Sequence, residues 1–246
     1  MLLFYFKSLP RLSSLDTILL MKQNDDLGSI YRMIFSLPTL KYNRLTMKSD
    51  DTEEELNLSL PFAINERFST IEYLNISHTC STRQLFSILR HTPQLRRLTC
   101  TDLIGSSARH EQLVTLSDLK YLSVDCDFMT IVEFERIVKN LSSQLEILNI
   151  RHHSDESYFD ANRWERMINN HIPHLQKFDY NYAIFDSSEY LQNDFYMKMN
   201  QFTSSFWTKR QWFFEAEIST DSIAYSICSH KCAMRPIDCK RSLFLF

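Results

Sequence analysis

Three groups of residues in this 246-residue chain have types and spacings that could do chemistry. His152, His153, Asp155 and Glu156 could form a metal or acid–base cluster. Adjacent residues of a strand point to opposite faces, however, so the two imidazoles cannot meet one ion without a bend. The surrounding run, RHHSDESYFD, is expected to be a polar, solvated loop. Cys228, His230, Cys232 and Cys239 make the tightest sulfur and imidazole cluster. A zinc site wants two closely spaced pairs of ligands, and the second pair here would be a lone Cys239. No metal or other cofactor is therefore expected. Nucleophilic catalysis has no signature either, since neither a Gly-x-Ser-x-Gly elbow nor a Cys–His family motif occurs. The chain has only two glycines, Gly28 and Gly105. Phosphate-cradling loops need several glycines close together, so a P-loop or a dinucleotide-binding turn cannot be written here.

The third group belongs to a recurring phrase of the form apolar, two residues, apolar, one residue, apolar. It runs Leu12-Leu15-Thr17, Leu40-Asn43-Leu45, Ile71-Leu74-Ile76, Leu95-Leu98-Cys100, Leu119-Leu122-Val124, Leu145-Leu148-Ile150 and Leu175-Phe178-Tyr180. The anchors at 12, 40, 71, 95, 119, 145 and 175 fall at the upper part of the leucine-rich-repeat period. Each phrase predicts a short strand. Each phrase is followed by a segment with helical spacing, as in residues 82–91, 130–141 and 160–171; in the second, Ile131, Phe134, Ile137, Val138 and Leu141 mark one face. Strand and helix in alternation imply parallel strands with helices on one side. Pro10, Pro38, Pro93 and Pro173 each stand two residues before an anchor, where proline ends a helix and sets the chain extended. Ser81 and Thr130 are candidate N-caps.

The predicted architecture is an α/β leucine-rich-repeat solenoid of about seven irregular repeats, a curved parallel sheet with helices on its convex side. Residues 1–218 form this domain, with an aromatic C-terminal cap at about 183–218 built around NQFTSSFWTKRQWFFEAEI. Residues 219–246 lack a clear period and are expected to form a frayed tail. The acidic run Asp50, Asp51, Glu53, Glu54 and Glu55 is expected to be exposed. Repeat arrays seldom supply the water-excluding pocket a catalytic triad needs, so the chain is not expected to be an enzyme.

Composition narrows the partners. The chain is 44% hydrophobic and 23% charged with a net charge of −3, which gives no electrostatic footprint for nucleic acid or an anionic membrane. The start, MLLFYFKSLP, is too short an apolar run for a secretory signal, and no stretch approaches the ~18 apolar residues of a membrane span. A cytoplasmic or nuclear protein with reduced, buried cysteines is expected.

The units LPTLKYNRLTM, TPQLRRLTC, LSDLKYLSV and IPHLQKFDY, with DANRWERMINNHIPHL before the last and NQFTSSFWTKRQWFFE after it, resemble the repeat region of divergent F-box and leucine-rich-repeat proteins. The resemblance spans roughly residues 10 to 218. It implies that the repeats hold a protein to be ubiquitinated, as in the substrate receptors of F-box-type ubiquitin ligases. In that family an F-box helix bundle binds the Skp adaptor of a cullin-RING ligase. No F-box precedes the first phrase in this chain, so a Skp adaptor is expected only where an upstream F-box exists.

Strand alternation places the binding residues. Within each phrase the second and third apolar positions point inward, and their neighbours point out of the sheet. Counting the anchor as the first position, the third positions are Ser14, Tyr42, Tyr73, Arg97, Tyr121, Ile147 and Lys177. The fifth are Asp16, Arg44, Asn75, Thr99, Ser123, Asn149 and Asp179, and the seventh include Asp125 and Arg151. From these, Tyr42, Arg44, Tyr73, Asn75, Arg97, Thr99, Tyr121, Ser123, Asp125, Asn149, Arg151, Lys177 and Asp179 are the candidate partner-binding residues. Tyrosines flanking an arginine are the group that dominates protein-binding hot spots. Two readings stand side by side: recognition of a protein partner on this face, or a structural scaffold whose face is merely solvated.

Overall fold

A computed structural model describes residues 12–21, 26–49, 58, 60, 69–106, 114–126, 128–141, 143–153, 155–184, 200–218, 223–228 and 242–244. The described residues form an α/β structure around one open, mostly parallel sheet of ten strands. Seven strands coincide with the seven phrases: β1 (Ser14–Met21), β2 (Tyr42–Ser49), β3 (Tyr73–Ser81), β4 (Arg97–Ile104), β5 (Tyr121–Asp125), β6 (Ile147–His152) and β7 (Lys177–Ile184). They are parallel and adjacent in sequence order. β8 (Phe213–Ile218), β9 (Ile223–Cys228) and β10 (Ser242–Phe244) then extend the sheet in antiparallel fashion, in the order β7-β9-β8-β10.

The inward positions explain why the strands stay together. Leu74, Leu98, Leu122, Leu148 and Phe178 are each at most 2% exposed. Ile76, Cys100, Val124, Ile150 and Tyr180 form the next buried row. Full burial of such a side chain stabilises by roughly 1.5–3 kcal/mol. Asn43 takes a leucine's place in the second unit and is fully buried, with its amide donating to the Leu15 carbonyl at 3.4 Å.

Four amphipathic helices share this core: α1 (Leu27–Phe35), α2 (Thr82–Leu89), α3 (Ile131–Leu141) and α4 (Ala161–His171). Their starts are set by side-chain caps. Ser81 and Gln84 form a reciprocal capping box at α2, Thr130 and Glu133 do the same at α3, and Asp26 and Asp160 cap α1 and α4. Turns deliver the chain to each strand, as at Leu37-Pro38-Thr39-Leu40 and Ile172-Pro173-His174-Leu175, where the fourth N–H bonds the first carbonyl. The prolines thus act as second residues of β-turns, a position that matches their fixed φ.

At the C-terminal side, Phe202, a short helix α5 (Ser205–Lys209) carrying Phe206 and Trp207, and then Trp212 and Phe214 pack onto β7. Ring centroids lie 5.7 Å apart for Phe178–Trp212 and 4.6 Å for Phe159–Tyr225. The aromatics closing this end include Tyr225 and stand next to Ile227, both buried and both beyond the boundary at 218 that the sequence suggests. The stretch expected to be a frayed tail therefore contributes β9, which lies between β7 and β8, and β10 on β8. Antiparallel strands lack the parallel phrase and its spacing, which hides them from a repeat search.

No described helix is long and apolar enough to cross a membrane. The acidic run from Asp50 to Glu55, the N-terminal residues 1–11 and cap residues 185–199 lie outside the described residues.

Candidate functional site: the open face of the sheet

The register of the seven parallel strands brings the third positions into one continuous row: Ser14, Tyr42, Tyr73, Arg97, Tyr121, Ile147 and Lys177 are successive Cα partners. A second row joins Asp16, Arg44, Asn75, Thr99, Ser123, Asn149 and Asp179 in the same way. The third row is interrupted. Ile18, Thr46 and Ser77 align on one side, and Asp125, Arg151 and Asn181 on the other. Between Ile76 and Thr79, β3 holds one residue more than β4, so Thr101 has no Cα partner in register. The bulge turns Thr79 toward Asp102, whose carboxylate accepts from the threonine hydroxyl.

These rows lie on the face opposite the helices, and their side chains are exposed or half-buried, while the alternate positions of β3 to β7 are buried and those of β1, Leu15 and Thr17, are half-buried. Tyr73 is 38% exposed. The Arg97 guanidinium stacks on the Tyr121 ring at 3.9 Å, a cation–π contact. The Asn149 amide donates to the Tyr121 hydroxyl oxygen at 2.9 Å. The Ser77 hydroxyl donates to the Asn75 amide oxygen at 2.8 Å. Charges are paired across or along the strands: Arg44 with Asp16 at 3.9 Å, Arg151 with Asp125 at 3.3 Å, and Lys177 with Asp179 at 2.9 Å. Exposed pairs of this kind contribute little to stability. They hold side chains in place on the face.

Sequence reasoning missed a ladder at the second position of each phrase, where Ser13, Lys41, Glu72, Arg96, Lys120, Glu146 and Gln176 enter their strands. Each carbonyl from Ser13 to Glu146 accepts two N–H groups from the next unit, as Glu72 does from Arg96 and Arg97 at 2.8 and 3.0 Å. Lys41 and Arg96 flank Glu72 at 2.8 and 3.6 Å, and Lys120 meets Glu146 at 2.6 Å. The Lys41 ammonium hydrogen bond, aided by the charges of Lys41 and Arg96, holds the Glu72 carboxyl below its ordinary range. The residue types at this offset, with Glu72 between Lys41 and Arg96 and Glu146 after Lys120, are the signal in the sequence that points to these pairs.

The histidine segment is not a solvated loop. His152 is an inward residue at the end of β6, fully buried, edge-on to Tyr158 at 4.0 Å between ring centroids. Its Nε2 accepts the Asp155 N–H at 3.2 Å. Asp155 accepts from the Ile131 N–H at 3.2 Å, the Ser157 N–H at 2.9 Å and the Ser157 hydroxyl at 2.6 Å. Burial opposes its charge, yet these donors hold its pKa below the ordinary carboxylate value. The following 3-10 turn, Glu156–Phe159, buries Tyr158 and Phe159. This segment is a structural clasp from β6 to the start of α3.

Among the described residues no group of three or more His, Cys, Asp or Glu is placed to hold a metal ion. Cys228 ends β9, and its partners in the sulfur cluster, His230, Cys232 and Cys239, lie outside the described residues. Cys80, Cys100 and Cys126 are buried free thiols, and burial, with a contribution from Cys126, pushes the Cys100 thiol up to about 12. Neither a protein-family model nor a curated protein matches the chain.

Proposed function

We propose that this chain is a leucine-rich-repeat solenoid that recognises a protein partner on the open face of its sheet, in the manner of the substrate-receptor part of F-box-type ubiquitin ligases. The observation that carries the reading is the shared register of seven strands, which lines up Tyr42, Tyr73, Arg97 and Tyr121 on a face where, among the described residues, their side chains stay exposed or half-buried. Large, rigid, amphipathic side chains in a contiguous row offer contact area at low entropic cost. The mixed and locally neutralised charge suits a folded protein or peptide better than a polyanion. On this reading the chain is a binding module without catalytic residues.

A scaffold role without a ubiquitin link draws on the internal ion pairs, which also describe a face satisfied by itself. One comparison separates the two. Affinity capture from the native source, read by mass spectrometry, is run with the wild-type chain and with Tyr73, Arg97 and Tyr121 all replaced by Ala. Recognition predicts that specific captured proteins are lost in the triple variant while its melting temperature stays within a few degrees of wild type. A scaffold predicts an unchanged capture profile. Leu122→Asp is the folding control, because it forces a charge into a site only 1% exposed and should cost about 4 kcal/mol or more.

A further inference from the structure

Arg97 differs from the other cations of the open face. Arg44, Arg151 and Lys177 each have a carboxylate within 4 Å, at Asp16, Asp125 and Asp179. Among the described residues Arg97 has none, and its guanidinium instead lies over the Tyr121 ring at 3.9 Å. Stacking fixes the plane of the guanidinium and leaves its N–H edge available, and that edge matches a carboxylate bidentately. The second donor stands beside it. Because the Tyr121 oxygen accepts from the Asn149 amide at 2.9 Å, the phenolic hydrogen is not spent on that bond. Two donors thus stand side by side in the middle of a face where Arg44, Arg151 and Lys177 already have carboxylate partners.

Building on the open-face reading, we propose that Arg97 and Tyr121 form the anchor for an Asp or Glu side chain on an extended segment of the protein partner. The carboxylate accepts the guanidinium fork and the Tyr121 hydroxyl, and Tyr73, on the neighbouring strand, supplies the apolar wall. Charge complementarity selects an acidic segment over a basic or wholly apolar one.

A random dodecapeptide library displayed on phage and selected on the full chain tests this. The expected result is enrichment of peptides with a fixed Asp or Glu whose affinity falls about tenfold or more on Arg97→Ala. Arg97→Lys, which keeps the charge but not the fork, should recover only part of the loss, and Tyr121→Phe should weaken binding several-fold. Selection on Arg97→Glu should replace the fixed acid by Lys or Arg. Peptides that lose affinity on Tyr73→Ala yet bind Arg97→Ala and Arg97→Glu unchanged would overturn the anchor while leaving the open-face reading in place. Selected peptides insensitive to every open-face substitution would overturn both.

Discussion

His78 sits in the bulge of β3, 7% exposed, between the sheet and α1. Its Nδ1 lies 2.9 Å from the Thr79 carbonyl, which can only accept, so Nδ1 carries the proton and Nε2 accepts from the Tyr31 hydroxyl at 2.8 Å. Tyr31 is fully buried, and burial raises its pKa well above the ordinary phenol value, so the hydroxyl stays neutral. Desolvation lowers the His78 pKa, outweighing the Thr79 carbonyl and the Asp102 charge that favour the imidazolium. A folded value below the unfolded one means that the unfolded chain binds more protons across the interval between them. Stability contributed by neutral His78 is therefore complete above the ordinary value of about 6.5 and is lost as pH falls from there toward the depressed folded value. Urea unfolding at pH 7.5 and pH 5.5 should show a larger acid loss for the wild type than for His78→Gln. Equal losses would show that His78 does not titrate with folding. A histidine at an alternating inward position is legible in the sequence, but the bulge that sets its partners is not, because it depends on the neighbouring strand having one residue fewer.

Elements were legible in proportion to how local their cause is. The period of Ile131, Phe134, Ile137, Val138 and Leu141 and the cap at Thr130 are local, and α3 occupies 131–141 against an expected 130–141. The same holds for α2 and α4, found at 82–89 and 161–171. The clasp formed by residues 152, 153 and 155–159 was hidden because its polarity is spent internally, on His152, Asp155 and Ser157, and a run of polar letters does not reveal whether its partners are water or backbone. The caps carry a prediction of their own. Ser81 is 3% exposed, and its hydroxyl accepts the Gln84 N–H at 3.3 Å while the Gln84 side chain accepts the Ser81 N–H at 3.0 Å. Ser81→Ala should cost about 1 kcal/mol, read as a lowered urea midpoint with an unchanged m-value. Ser81→Asp, which restores an acceptor, should recover part of the loss if capping is the cause.

At the scale of the whole molecule the parallel order of β1 to β7 matches one repeated phrase, whose inward positions from Leu74 to Phe178 are buried on one face of the sheet. The antiparallel extension needs β9 (223–228) to pair with β7 and β8, and β10 (242–244) with β8, with no repeated spacing to announce those contacts. Of the site, the rows were readable from the phrase alone, because strand alternation and shared register are enough to align them. The stacking of Arg97 on Tyr121 and the ladder from Lys41 to Glu146 depend on rotamers and on neighbouring units together. Shared register is the claim beneath the open face and its anchor, and cross-strand cysteine pairs test it most directly. Under mild oxidation, Thr99→Cys with Ser123→Cys, and Ser123→Cys with Asn149→Cys, should each form an intramolecular disulfide in the folded chain, because both pairs are Cα partners. Thr99→Cys with Asp125→Cys, one step out of register, should remain reduced under the same conditions. Efficient cross-linking of the out-of-register pair, or failure of both aligned pairs in a folded protein, would contradict the account.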